Sequence, residues 1–291
     1  MSSDYDIIIV GGGPAGLSAA SSIHMHTVLS WDHQDPAKFR AAARADLKRY
    51  GTVDIKESEV ESIKQRDDGL FEAMTGNGET WTAKKVILAT GIEDVFPDIP
   101  GYAECWVTGI FHCLYCHGWK EKGTPSAGML AQDDVSSVLV ALHFARQALC
   151  MTDNLAQDLQ AALDAAPAPT AVDARKISRL SEAPQRAQVT LHFDDGSFRT
   201  EAFLAHKPRS KLRGAGARLA QQLGLRLTPS PGNLIKVLPP FNQTSAKGVF
   251  AAGDCATPMQ TVTAALHSGT CAGGGAPLQI QAETYGQRAI F

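Results

Sequence analysis

Tyr5-Asp6-Ile7-Ile8-Ile9-Val10-Gly11-Gly12-Gly13-Pro14-Ala15-Gly16 decides the fold. Its first half is a β-branched apolar run of the kind buried on both faces of a parallel sheet. The run leads directly into G-x-G-x-x-G. Gly11 allows the tight turn, Gly13 lets a pyrophosphate approach the backbone, and Gly16 lets the helix opening at Leu17-Ser18-Ala19-Ala20 pack on the strand. The N-terminus of that helix turns free N–H groups toward the phosphates. The strand before and the helix after separate this pattern from an ordinary glycine-rich turn.

A dinucleotide half built this way calls for a second strand ending in an acidic residue about 20 positions on, to hold a ribose. Thr27 to Trp31 followed by Asp32 satisfies the count, 21 residues after Gly11, although Ser22-Ile23-His24-Met25-His26 makes a poor crossover. A surface-loop role for Asp32 is the alternative. Pro36 through Arg49 reads as a helix, with Pro at its start. Strands are expected at 52–56, 59–64 and 70–74, with Gly76-Asn77-Gly78 as a hairpin turn. Lys85-Val86-Ile87-Leu88-Ala89-Thr90-Gly91 is a second buried strand, and Gly248-Val249-Phe250-Ala251-Ala252-Gly253-Asp254 a third. A helix opens at Pro258-Met259-Gln260-Thr261 and runs to about Gly273.

Three strand ends, at Gly11–Gly16, at Ala89-Thr90-Gly91 and at Gly253-Asp254, would then meet at one sheet edge, where doubly wound folds bind ligands. The expected fold is α/β: a doubly wound domain from 1–95 and 207–291, split by an inserted domain at 96–206. Pro97, Pro100 and Gly101 mark the way out, and Lys207-Pro208-Arg209 the way back. Within the insert, a strand is expected at 126–131, helices at 135–150 and about 154–166, and a hairpin at Asp194-Asp195-Gly196. Ala127-Gly128-Met129-Leu130-Ala131-Gln132-Asp133-Asp134 lacks G-x-G-x-x-A. Two carboxylates there would repel a pyrophosphate, and no strand is expected between the 135–150 helix and Met151, so nicotinamide binding is weakly supported.

The whole chain has 291 residues, of which 44% are hydrophobic and 20% charged, enough for about two domains with real cores. A net charge of −3 leaves no basic footprint for nucleic acid or an anionic membrane. No apolar run approaches a membrane span, and the first residues carry no secretory signal. The expected location is the cytosol.

Six cysteines are too few for a disulfide scaffold. Cys105, Cys150, Cys255 and Cys271 are scattered and read as small buried hydrophobes. Cys113 and Cys116 stand apart, in Phe111-His112-Cys113-Leu114-Tyr115-Cys116-His117-Gly118. A structural zinc would need a second such pair, which is lacking. Cys-x-x-Cys-His is also a c-type haem attachment pattern, but no export signal accompanies it. A redox pair is the reading, with a structural pair of free thiols as the alternative. A neighbouring base can lower the pKa of the leaving thiol.

The three strand ends, in this order and split by a domain bearing Cys-x-x-Cys, resemble the flavin disulfide reductases, specifically the low-molecular-weight thioredoxin reductase type. His117 stands where those enzymes carry an Asp. Together with His24-Met25-His26-x-Val28-Leu29-x-Trp31-Asp32-His33 and Leu238-Pro239-Pro240-Phe241-Asn242-Gln243-Thr244-Ser245, it resembles the fungal dithiol oxidases that close the disulfide of gliotoxin-type epidithiodiketopiperazines. That resemblance implies FAD as cofactor, a small dithiol or disulfide as substrate, dioxygen as acceptor and a homodimer. It implies that Cys116 faces the flavin and Cys113 the substrate, with His117 as base; His267, by its place on the helix after Gln260, is a second acid/base candidate, with a packed helix residue as the alternative. It implies flavin contacts at Gly11, Gly12, Gly13, Pro14, Ala15, Gly16, His26, Ala89, Thr90, Gly91, Gly253, Asp254, Gln260 and Thr261. His24, His26 and His33 could be offered as metal ligands, but no metal is expected. One departure stands out: the family has a helix, a strand and an acidic end before its His-Met-His segment, where here Ile23 leads almost directly into His24.

Overall fold

In a computed structural model, residues 4–13, 24–118, 120–121, 123–131, 147–150, 172–185, 187–229, 233–288 and 291 are described. Along the chain run β1 (Tyr5–Val10), α1 (Pro36–Lys48), β2 (Val60–Gln65), β3 (Phe71–Thr75), β4 (Thr80–Leu88) and β5 (Ile92–Val95). Then come α2 (Tyr102–Cys105), β6 (Ile110–Phe111), β7 (Gly128–Ala131), β8 (Gln147–Cys150), β9 (Val172–Asp173) and β10 (Ile177–Glu182). They are followed by β11 (Val189–Phe193), β12 (Phe198–Glu201), β13 (Leu204–Ala205) and β14 (Arg209–Leu212). Last are α3 (Gly214–Gln222), β15 (Val249–Ala251) and α4 (Val262–Thr284). Two compact units emerge: residues 1–94 with 210–291, and residues 95–209.

In the first unit β4 is the organising strand. Its inner half pairs in parallel with β1 on one side and with β15 on the other, while its outer half pairs antiparallel with β3. Alternation along the strands serves two layers. Val86, Leu88, Val249 and Ala251 share a core with Leu219 and Ala220 of α3, and Ile87 and Phe250 share another with Ala272 and Ala276 of α4. A sheet covered on both faces by helices is the α/β arrangement expected.

The second unit holds a parallel sheet of order β6-β13-β7-β8-β9 and an antiparallel meander β10-β11-β12. Tyr102, Trp106, Ile110, Leu130, Leu191 and Leu204 lie in one core that joins them. Gly101, at φ 82°, is forced by close packing: a Cβ there would lie 1.9 Å from the Leu180 carbonyl oxygen.

Several sequence expectations are corrected. Residues 52–56 form no strand: Val53 and Ile55 are both more than 40% exposed, and β-branched residues without a ladder partner do not make one. Thr27–Trp31 is a series of turns, not a second strand, with Thr27 and Ser30 at positive φ. Gln147–Cys150 is the strand β8, parallel to β7 and β9, where the end of a helix and then no strand were expected. Short apolar runs do not distinguish the two by pattern. The last helix begins at Val262 and continues to Thr284, past Gly273-Gly274-Gly275 and Pro277. Tertiary packing overrides propensity here, because a Cβ at Gly275 would lie 2.6 Å from Phe241 Cβ. β1 is not buried throughout, since Ile9 is 61% exposed.

Candidate functional site

Two groups of residues carry the chemistry, one in each unit. In the first unit, strand register sets the level of the three ends: Val10 pairs with Leu88, and Leu88 with Ala251. The Ala89 N–H donates to the Val10 carbonyl (2.8 Å) and the Ala252 N–H to the Leu88 carbonyl (2.9 Å), so all three strands stop in step. Gly11 (φ 133°) makes the turn, and a Cβ on it would lie 2.1 Å from the Ala89 carbonyl oxygen. Thr90-Gly91 and Gly253-Asp254 leave from the same edge, with Gly91 at φ 69° and Gly253 at φ 77°. The Gly253 N–H donates to Ser268 Oγ (2.8 Å), tying this edge to α4. Asp254 is 1% exposed. Gly12 is open: the nearest neighbour a Cβ would meet is Arg44 Nη2, at 3.9 Å. Backbone that side chains cannot crowd, with a buried carboxylate at one end, fits the phosphate and polyol parts of a flavin dinucleotide. Pro14, Ala15, Gly16 and the helix expected after them lie outside the described residues, as do Asp133, Asp134 and the helix expected at 154–166.

The remaining expected flavin contacts are more scattered. Thr261 is the N-cap of α4, its Oγ1 accepting from the Ala264 N–H (3.1 Å), and Gln260 precedes it, half-buried. His26 Nδ1 lies 3.1 Å from Asp32 Oδ1, and His33 Nε2 lies 3.7 Å from Asp32 Oδ2. Asp32 is thus held low in pKa: its slight burial opposes the charge, but the hydrogen bond from His26 and the two imidazoles outweigh it. These three side chains gather potential ligand atoms within 4.8 Å. His267 is exposed on α4 with its Nε2 3.6 Å from Cys271 Sγ. Cys271 is therefore half-buried and not the buried hydrophobe expected, whereas Cys105 and Cys255 are fully buried. Burial pushes the Cys105 thiol up to about 11.

In the second unit Cys113 and Cys116 are joined by a disulfide. Leu114–Gly118 forms a wide π-type turn, in which the Cys113 carbonyl accepts from the N–H groups of Cys116 (3.2 Å) and Gly118 (3.4 Å). Gly118 packs closely on Leu114, whose Cδ2 would lie 2.9 Å from a Cβ placed there. His117 is 8% exposed and its ring stacks on Phe111 at 5.5 Å. Phe111 belongs to β6 and Cys113 follows two residues later, so the sheet positions the turn.

His112 is the residue that sequence reasoning passed over. It stacks on Trp106 at 5.7 Å, directly before Cys113. Loss of solvation, then the charge of Lys207, pushes its pKa down to about 4. The residue is exposed, and its imidazole is neutral at pH 7. A His flanking each end of a Cys-x-x-Cys pair was the available signal. Deeper in this unit Tyr102 Oη and His206 Nδ1 share a 2.7 Å hydrogen bond.

Three strand ends at one edge, with a disulfide between neighbouring cysteines elsewhere in the chain, define a two-unit α/β disulfide oxidoreductase. Residues 5–141 match the family described as pyridine nucleotide-disulphide oxidoreductase. The chain is 37% identical to thioredoxin reductase sirT of Leptosphaeria maculans (94% of each chain) and 39% identical to thioredoxin reductase tcpT of Claviceps purpurea (98% of this chain, 97% of the relative). An oxidoreductase from Agrobacterium tumefaciens superposes with a TM-score of 0.81 at 27% identity, covering 97% of this chain and 99% of that one. The chain belongs to the thioredoxin reductase-like pyridine nucleotide-disulphide oxidoreductases, which are FAD-binding flavoproteins. It is a flavin-dependent thiol/disulfide oxidoreductase. The aligned length with sirT, 312 positions, exceeds this whole chain, so that relative carries internal residues this chain lacks. Among the described residues no helix is long and apolar enough to cross a membrane.

Proposed function

We propose that this chain is a dithiol oxidase that closes the disulfide of a small dithiol natural product, with dioxygen as the final acceptor. The observation that carries the reading is the Cys113–Cys116 disulfide followed by the buried His117. A substrate thiol gives its proton to the His117 imidazole, the residue type that most often serves as a general base. The resulting thiolate attacks Cys113 Sγ. The Cys113–Cys116 bond breaks, a mixed disulfide forms, and Cys116 leaves as a thiolate. The second substrate thiol then attacks the substrate sulfur of the mixed disulfide, closing the substrate ring, and its proton passes to the Cys113 sulfur as that leaves. Two electrons and two protons have left the substrate. The strand ends at Gly11, Ala89–Gly91 and Gly253–Asp254 would hold FAD, which would supply the electron relay from the cysteine pair to dioxygen. The overall balance is dithiol plus dioxygen to disulfide plus hydrogen peroxide. The resemblance to the gliotoxin-type oxidases supports Cys116 as the flavin-facing sulfur and a homodimer, and its place on the helix after Gln260 makes His267 a candidate secondary proton carrier; a cytosolic location rests on the sequence.

A second reading has a specific observation in its favour. The parallel β7-β8-β9 arrangement is the kind of sheet that binds a nicotinamide dinucleotide, which would make the chain an NADPH-dependent disulfide reductase. Anaerobic rapid mixing separates the two. The oxidase reading expects a small dithiol to bleach the flavin, oxygen to restore it with release of peroxide, and NADPH to act slowly. Rapid bleaching by NADPH with dithiols inert makes the chain a reductase.

A further inference from the structure

Thr27, Ser30 and His33 all stand at positive φ, and the chain from Met25 to Gln34 closes on itself instead of extending. The Met25 N–H donates to the Gln34 carbonyl and the His33 N–H to the Met25 carbonyl, both at 2.8 Å, and the Trp31 N–H donates to the Val28 carbonyl at 3.0 Å. Met25 and Val28 are buried, and Trp31 packs edge to face on Phe39 of α1 at 5.3 Å. The backbone and these apolar side chains therefore fix the loop, and the polar side chains it gathers are placed by it.

Those side chains are His26, Asp32 and His33. A strand would put His24 and His26 on one face. The turn instead sets a carboxylate between two imidazoles, a donor set suited to zinc. Asp32 Oδ1 lies 3.1 Å from His26 Nδ1 and Oδ2 lies 3.7 Å from His33 Nε2, and one ligand atom from each of the three lies within 4.8 Å of the others. Bonds of ~2.0–2.2 Å to a tetrahedral zinc put its ligand atoms about 3.3 Å apart, so both separations are close to what the ion requires. The His33 N–H, 3.1 Å from Oδ1, orients the carboxylate. His26 is the enclosed member, with 6% of its side chain exposed and Nε2 buried, and Nδ1 is the nitrogen that faces Asp32. Asp32 and His33, 51% and 63% exposed, leave an ion a path from solvent.

We propose that His26 Nδ1, Asp32 and His33 Nε2 form a binding site for a divalent zinc-class cation, with the fourth position open to water. All three ligands come from one loop of the first unit, so the ion staples that loop. The site uses Nδ1 of His26 and leaves the rest of that ring for the flavin contact expected of it. It does not depend on the direction in which the enzyme runs. The test uses the purified flavin-loaded chain, with the Cys113–Cys116 disulfide kept oxidised so that thiolates do not compete. Metal is stripped with a chelator, the chelator is dialysed away, and Zn²⁺ is titrated calorimetrically. The expected result is one Zn²⁺ per chain at micromolar free ion. Asp32→Asn and His33→Ala should each bind at least about tenfold more weakly, since loss of a group that merely supports a ligand already costs about 10–100-fold. His33 is exposed, so His33→Ala should keep the Tm of the metal-free chain, and Zn²⁺ should raise Tm in the unaltered chain and not in the variant. Absence of stoichiometric binding at micromolar Zn²⁺ overturns the proposal, and unchanged affinity in either variant overturns the ligand set. Binding lost in Cys271→Ser would place the ion at the Cys271–His267 pair and overturn the proposal as well.

Discussion

The strand ends of the first unit and the disulfide turn of the second are built in opposite ways. Gly11, Ala89–Gly91 and Gly253–Asp254 are scattered over most of the chain and meet only because β1, β4 and β15 share a register. Cys113 to Gly118 are consecutive, and the turn they form is closed by their own backbone hydrogen bonds. The first site works through backbone left bare and is sensitive to added atoms. The second works through side-chain chemistry and is sensitive to atoms removed.

That contrast can be broken most sharply at the cysteines. Cys113→Ser and Cys116→Ser should each lower dithiol turnover by at least about 10³-fold, as for loss of a nucleophile, with folding intact. Treated with the disulfide form of the substrate, Cys116→Ser should accumulate a mixed disulfide on Cys113 by thiol–disulfide exchange, read by intact mass, and Cys113→Ser should not. The reverse pattern would mean that substrate meets Cys116 first.

Next in size is the base. His117→Ala should slow the dithiol half-reaction by about 10²–10⁴-fold and leave flavin content unchanged, whereas His112→Ala should change the rate far less. If His112→Ala is the slower variant, the exposed imidazole is the base and the buried one supports the turn.

In the first unit the effect should appear as stability. Gly11→Ala places a Cβ on a backbone carbonyl at an unfavourable φ, for a cost of about 3 kcal/mol or more and a fall in Tm of roughly 6–12 °C. Gly12→Ala, in open space, should leave Tm nearly unchanged. Equal Tm values for the two would remove the steric account of this edge.

The smallest effect sharpens how α4 is held to β4. Lys85, 6% exposed, pairs with Glu283 at 2.6 Å, and Lys247 adds a second contact at 3.2 Å. Partial burial works to raise the Glu283 pKa, but the two lysines outweigh it and hold the carboxyl below the usual range. The stabilisation is therefore present above about pH 4.3, the unfolded value, and is lost as pH falls through the lower folded value. Glu283→Gln should cost about 1 kcal/mol near neutrality, a discounted figure because Glu283 is 42% exposed. A denaturant titration should show that difference disappearing in acid.

Local chemistry was legible from the residues. The glycine loop, the buried strand ending at Leu88, the hairpin at Asp194-Asp195-Gly196 and the Cys-x-x-Cys-His turn each depend on neighbours a few positions away. Expectations failed where long-range partners decide. Residues 52–56 have strand composition and no strand beside them. Gln147–Cys150 gains its conformation from β7 and β9. α4 continues past Gly273-Gly274-Gly275 and Pro277, and Gly275 lies where a Cβ would meet Phe241 and Phe250.

The sequence by itself determined the kind of chemistry, because a disulfide between cysteines three apart and a glycine turn at a strand end need only their own neighbours. Only the tertiary structure decided which residues share a site. Strand register brought Ala89 and Ala252 level with Gly11, and stacking on Trp106 brought His112 into consideration beside Cys113. The loop pairing of His26, Asp32 and His33 withdrew Asp32 from the ribose role its spacing suggested, because a carboxylate answers to the groups within hydrogen-bonding distance, not to its count along the chain.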